Sequence, residues 1–245
     1  MTFLKGPAFH GVWRPGFSIV GGSLLVALDI PLAVRFIASA LLALCGGRNV
    51  GPSVLALGVL GAFTPWPLPA FGAWAIWALL SRSHSRGVRR HLSRRRTLVA
   101  LTFGLVSGVV TIATVAPHWT GTELLLPAPY LRPGIIVLGV LVVAGFNSVG
   151  EELLWRRAWW SSNVALARPA LMAIQTLSFS IAHLHGIPGG LTGMLLAGAF
   201  SLLISIMRWR WGFASAVVAH FSTDLVIFAG FAMFGLGVDG FVALS

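Results

Sequence analysis

Acidic side chains are nearly missing from this chain. Asp29, Glu123, Glu151, Glu152, Asp224 and Asp239 are its only carboxylates in 245 residues. Charged residues of both signs make up 9% of the sequence, against about 25% in an ordinary soluble domain. With 57% hydrophobic residues, that scarcity excludes a soluble protein and leaves one integral membrane domain over 1–245, with no soluble lobe. Cysteine is scarcer still. Cys45 stands alone, which excludes an internal disulfide and any metal site built from cysteines. Met1 to Arg14 lacks a compact signal peptide with a small-residue cleavage site, so the first apolar run is expected to be a retained span.

Basic residues are present, and unevenly placed. The net charge is +11, and seven of the 17 lysines and arginines lie between Arg82 and Arg96, between apolar runs. Cytoplasmic loops of membrane proteins gather arginine in this way, so the bilayer and not nucleic acid is the expected partner. The arginine-rich composition points to a bacterial inner membrane.

Seven spans are expected. Phe17–Cys45 is the first, interrupted by Asp29, Pro31 and Arg35; Gly51–Leu80 is the second, broken by Pro65, Pro67 and Pro69. Thr97–Ala116 follows the arginine-rich loop, and Pro133 onward through Glu151-Glu152 towards Trp159-Trp160 is the fourth. Pro169–His185, Leu191–Met207 and Gly212–Phe234 complete the set, each near the 20 residues a bilayer requires. With the N-terminus cytoplasmic, nearly all the cations fall on the cytoplasmic side. The fold predicted is an all-α polytopic bundle with its site between the last four spans.

Three polar clusters interrupt those spans, each built on a spacing of four, which keeps both members on one helical face. Glu152 and Arg156 form the first, with Glu151 adjacent; Phe179 and His183 the second; His220 and Asp224 the third. A spacing of four lets Glu152 and Arg156 pair, whereas Glu151 is turned about 100° away and has no local cation on its face. Charged groups at membrane depth are costly and face a protein interior or a wet cavity. At about 1.5 Å per residue, Glu151 and His220 lie about 14 and 12 Å from the cytoplasmic ends of their helices, and His183 about 21 Å.

Glu-Glu-x-x-x-Arg, Phe-x-x-x-His and His-x-x-x-Asp in this order resemble the CPBP family, that of the type II CAAX prenyl endopeptidases and bacterial Abi proteins. The likeness covers about 133–234. It implies an intramembrane endopeptidase acting on a membrane-associated protein or peptide, such as a sorting tail, a bacteriocin precursor or a lipidated protein. It also implies that Glu151 and His183 hold and activate the water, that His220 and the residue at 224 face the oxyanion, and that no cofactor takes part. Glu152 and Arg156 then orient the fourth helix, and Phe179 packs beside the site. The chain departs from the CAAX protease pattern at Asp224, where Asn is usual. An ionised carboxylate cannot donate to an oxyanion, so Asp224 is expected to orient His220 by accepting from its other ring nitrogen.

Other readings stay open on the sequence. Glu151, His183, His220 and Asp224 make a two-histidine, two-carboxylate set that could hold Zn2+ with a water position. A catalytically silent immunity or scaffold protein would keep the same fold. A carrier could use the same groups as a proton relay, although the two halves show no paired repeats. His185, His118 and Glu123 are read as helix-terminal or loop residues, and neither Ser180 nor Ser222 as a nucleophile.

Overall fold

The computed structural model describes residues 93–118, 133–157, 168–185 and 189–242, with scattered positions between 20 and 45; side chains of the last helix are described to Met233. The described residues contain helices and no strand, as expected of an all-α bundle. From Arg94 onward the helices are α1 (Arg94–Val115), α2 (Pro133–Glu151, carried on by a π-helical turn, Glu152–Arg157), α3 (Arg168–Ala182, closed by a 3-10 turn, His183–His185), α4 (Gly190–Trp211) and α5 (Phe213–Val242). Arg94–Val115, Pro133–Arg157, Gly190–Trp211 and Phe213–Met233 are long and apolar enough to cross a membrane. Their exposed leucines and valines, such as Val106, Val109, Leu138 and Leu195, suit a hydrocarbon surrounding.

The expected fifth span is different. Its helix has 15 residues, about 22 Å of length, short of the hydrocarbon core of about 30 Å. The expected third span also starts earlier, because Ser93 caps the helix by accepting from the Arg96 N–H and draws Arg94–Arg96 into its first turn. The first two expected spans lie outside the described residues apart from those scattered positions. The arginine-rich loop before Ser93, the connection 119–132, Trp159-Trp160 and 186–188 also lie outside them.

The middle of the bundle is α5. It runs parallel to α1 at very close approach: a Cβ on Gly104 would stand 2.2 Å from the Ala219 carbonyl oxygen, and one on Gly108 2.6 Å from Val226 Cβ. Small residues allow such backbone contact inside membranes. The Thr223 hydroxyl sits in the seam, 3.0 Å from the Gly104 and Ala219 carbonyls. Against the opposite side α2 runs antiparallel, so that Asn147 meets Asp224 and Glu151 meets His220. Helices α3 and α4 pair through Gln175 to Ser205 (2.8 Å) and Ser180 to the Met194 carbonyl (2.7 Å). A single residue, Gly212 at φ 99°, turns α4 into α5; other residues rarely adopt that conformation.

This topology collects the cations at one end. Arg157 and Arg208 both stack on Phe213 at the start of α5, with guanidinium carbons 5.7 and 5.3 Å from the ring centre. The starts of α1 and α3 lie at the same end, with Arg94–Arg96 and Arg168. Just inside, Ala100, Ile204, Met207, Ala216 and Ala219 form the apolar core in which α1, α4 and α5 meet.

Gly104→Val should destabilise the protein by about 1–3 kcal/mol, because the helices must separate. Gly139 has open space around it, so Gly139→Ala should be neutral or stabilising by up to about 1 kcal/mol. Thermal unfolding in detergent compares them, and equal losses would contradict the close seam.

Candidate active site

The helix carrying Glu151 does not stay α-helical. From Glu152 to Arg157 it widens into a π turn, a rare form that concentrates at functional sites. Glu151 was expected about 100° around the helix from Glu152, without a local cation and directed to the same site as His183 and His220. Both carboxylates turn inward onto one ring, that of His220 on α5.

Glu152 and Arg156 are fully buried and pair as their spacing predicts. Arg156 also donates to Ser201 Oγ on α4 (3.0 Å). Ser201 connects onward, since its carbonyl accepts from Ser205 (2.7 Å), which accepts from Gln175 (2.8 Å). The pairing offsets much of the cost of burying two charges, although Glu152 Oε2 and Arg156 Nε make no hydrogen bond among the described residues. The same Glu152 Oε1 lies 2.8 Å from His220 Nδ1. A carboxylate oxygen accepts, so Nδ1 carries the proton and its direction is fixed.

His220 Nε2 then faces two further carboxylates, Glu151 Oε2 at 3.3 Å and Asp224 Oδ1 at 3.5 Å. Asp224 was expected at the ring nitrogen that does not face the substrate. The far ring nitrogen belongs to Glu152, and Asp224 stands beside Glu151 on the near side. The other oxygen of Asp224 accepts from Asn147 Nδ2 at 3.1 Å. Glu151 is 6% exposed, and its Oε2 has no hydrogen bond among the described residues. The 3.3 Å approach of His220 is a charge contact without hydrogen-bond alignment.

His183 comes to the site by way of Phe179. Where α3 tightens into its 3-10 turn, the His183 ring bends back and Nδ1 lies 2.9 Å from the Phe179 carbonyl. A carbonyl only accepts, so Nδ1 donates, and in that tautomer Nε2 is the nitrogen that can accept. Phe179 is buried at the centre of an aromatic cluster. His183 lies against it at 4.3 Å, His220 at 6.2 Å and Trp155 at 5.8 Å between ring centres, with the Arg156 guanidinium 5.1 Å away. Glu151 is within electrostatic reach of His183. The expected packing residue is thus the common neighbour of all three clusters.

The remaining candidates are placed plainly. Ser180 and Ser222 spend their hydroxyls on the Met194 and Val218 carbonyls. His185 ends the 3-10 turn, His118 lies in the short turn after α1, and Glu123 is outside the described residues. Among the described residues no three His, Cys, Asp or Glu side chains form a group that could hold a metal ion, and Glu151, His183, His220 and Asp224 are included in that statement. Sequence reading missed Asn147, Ser201, Ser205 and Gln175. Asn147 had a signal, since it stands four residues before Glu151 on the same face of an apolar helix.

Helices of membrane-spanning length bury two glutamates against one histidine ring, an arrangement that fits the motifs' resemblance. The comparison with known families agrees: residues 133–226, about two fifths of the chain, match the family model for Type II CAAX prenyl endopeptidase Rce1-like proteins. The matched part carries all three motifs and is similar to this CAAX protease family. No curated protein and no solved structure matches the chain.

Arg156→Met should destabilise the protein by about 3–5 kcal/mol, because it leaves Glu152 charged, buried and without its cation. Adding Glu152→Gln should recover most of that loss. If the double variant melts no higher than the single one, the ion pair is not what holds this end of α2.

Proposed function

We propose that the protein is an intramembrane endopeptidase that hydrolyses a peptide bond of a membrane-associated protein or peptide, with water as the nucleophile and without a metal. The family supports proteolysis in general. The observation that carries the finer reading is the Glu151 carboxylate, buried beside His220 Nε2 with one oxygen free of hydrogen bonds. Such an oxygen can take a proton from water without first breaking another bond.

The water loses a proton to Glu151 while its oxygen bonds to the peptide carbonyl carbon. The carbonyl π electrons move to oxygen, and the oxyanion takes a hydrogen bond from the Nε2–H of a His220 imidazolium, whose Nδ1–H stays on Glu152. As the tetrahedral intermediate collapses, the carbonyl reforms and the C–N bond breaks. Glu151 returns its proton to the leaving amine. His183 accepts from the water through Nε2, the atom that its bond to the Phe179 carbonyl leaves open. Glu152 keeps the His220 ring at a fixed angle throughout, as the third member of a catalytic triad orients its base.

The cation-bearing end of the bundle is assigned to the cytoplasm by the positive-inside rule. Substrates then reach Glu151 from that side. A prenylated CAAX tail is the first probe, because the family name specifies it.

The test uses the purified protein in detergent and a quenched fluorescent farnesylated CAAX peptide, alongside unmodified tail peptides. Glu151→Gln should lower cleavage by about 10³-fold, with an unchanged melting temperature. Full activity should accompany less than about 0.1 bound metal per chain, where a structural or catalytic zinc would be stoichiometric. A Glu151→Gln protein that still cleaves, or activity that tracks a stoichiometric bound metal, would overturn the proposal.

A further inference from the structure

Two pairs of side chains face each other across the antiparallel seam of α2 and α5. Asn147 and Glu151 are four apart on α2; His220 and Asp224 are four apart on α5. The seam places Glu151 Oε2 3.3 Å from His220 Nε2, His220 Nε2 3.5 Å from Asp224 Oδ1, and Asp224 Oδ2 3.1 Å from Asn147 Nδ2. Three carboxylates approach this end of the His220 ring and its far side, and each can only accept when ionised. The Asn147 amide is the one neutral donor in the group.

An amide nitrogen carries two hydrogens. One is spent on Asp224, and no second hydrogen bond is made by Asn147 among the described residues. Asn147 is only half-buried, so its side chain is not sealed in the packing. The charge of Asp224 holds the amide nitrogen, not its oxygen, towards the centre, because a carboxylate accepts only from the nitrogen side.

We infer that Asn147 is a catalytic residue: its second N–H donates to the substrate carbonyl oxygen as that oxygen becomes negative, together with His220, and Asp224 serves to aim it. The inference rests on the hydrolytic reading above and deepens it. It also gives Asp224 a function that an ionised carboxylate can perform. The proton moves as before, from water to Glu151 and then to the leaving amine; Asn147 exchanges none.

The experiment compares five full-length proteins in detergent on the quenched fluorescent farnesylated CAAX peptide: wild type, Glu151→Gln, Asn147→Ala, Asn147→Asp, and the exchange Asn147→Asp with Asp224→Asn. Asn147→Ala and Asn147→Asp should each lower kcat by about 100-fold with KM within about threefold, as expected for a donor used in the transition state. The exchange restores one amide and one carboxylate to the seam with their places reversed. It should regain at least about tenfold over Asn147→Asp.

Asn147→Ala that keeps more than about a third of wild-type kcat would overturn the inference. So would an exchange variant that folds, by its melting temperature, and cleaves no faster than Asn147→Asp, since that pattern makes Asn147 a support for the Asp224 carboxylate. Glu151→Gln separates the two levels. If it is inactive while Asn147→Ala is unimpaired, only the role of Asn147 falls; if it cleaves, the hydrolytic reading itself falls.

Discussion

The site depends on one buried charge pair. Arg156 and Glu152 are both fully enclosed, and neither could remain there alone, because an unpaired ion at membrane depth is costly. Their pairing therefore sets the rotation of the last turn of α2. It fixes more than that helix. The Glu152 oxygen that holds Arg156 also takes the His220 Nδ1 proton, so the orientation of α5 is tied to the same atom. Ser201, Ser205 and Gln175 extend the constraint into α4 and α3. Four helices are keyed together by polar contacts that lipid could not replace.

Within that frame the two adjacent glutamates divide their work by environment. Glu152 holds a guanidinium and an imidazole through one oxygen. Glu151, one residue earlier, is buried with an oxygen that nothing bonds. Phe179 supplies the apolar counterpart, bringing His183, His220, Trp155 and Arg156 against one ring. Excluding water around such groups strengthens each electrostatic contact inside the site. Activating a single water then requires few moving parts.

Much of this was legible in the sequence because membrane helices leave strong signals. Apolar length marked α1, α2, α4 and α5, and the spacing of four marked Glu152 with Arg156, Phe179 with His183 and His220 with Asp224. What stayed hidden has physical reasons. A π turn changes which backbone carbonyl each N–H meets, and no residue type announces that shift, so the meeting of both glutamates on one ring was not evident. The partner of His220 Nδ1 is 68 residues away, and spacing within one helix favoured Asp224 over Glu152. Ser201, Ser205 and Gln175 are ordinary residues whose value appears only when three helices are packed. Asn147 was visible as a polar residue in an apolar run, but its partner sits on another helix 77 residues on.

The central claim is that one Glu152 oxygen joins Arg156 on α2 to His220 on α5. Solid-state NMR of the protein in bilayers, with 13C-labelled glutamate carboxyls and 15N-labelled histidine, measures that junction directly. The Glu152 carboxyl carbon to His220 Nδ1 distance should be below about 4 Å, the span of one N–H···O hydrogen bond plus a C–O bond. The signal should vanish in Glu152→Ala. A distance beyond about 6 Å, or a close contact that survives that substitution, would contradict the arrangement on which the site is built.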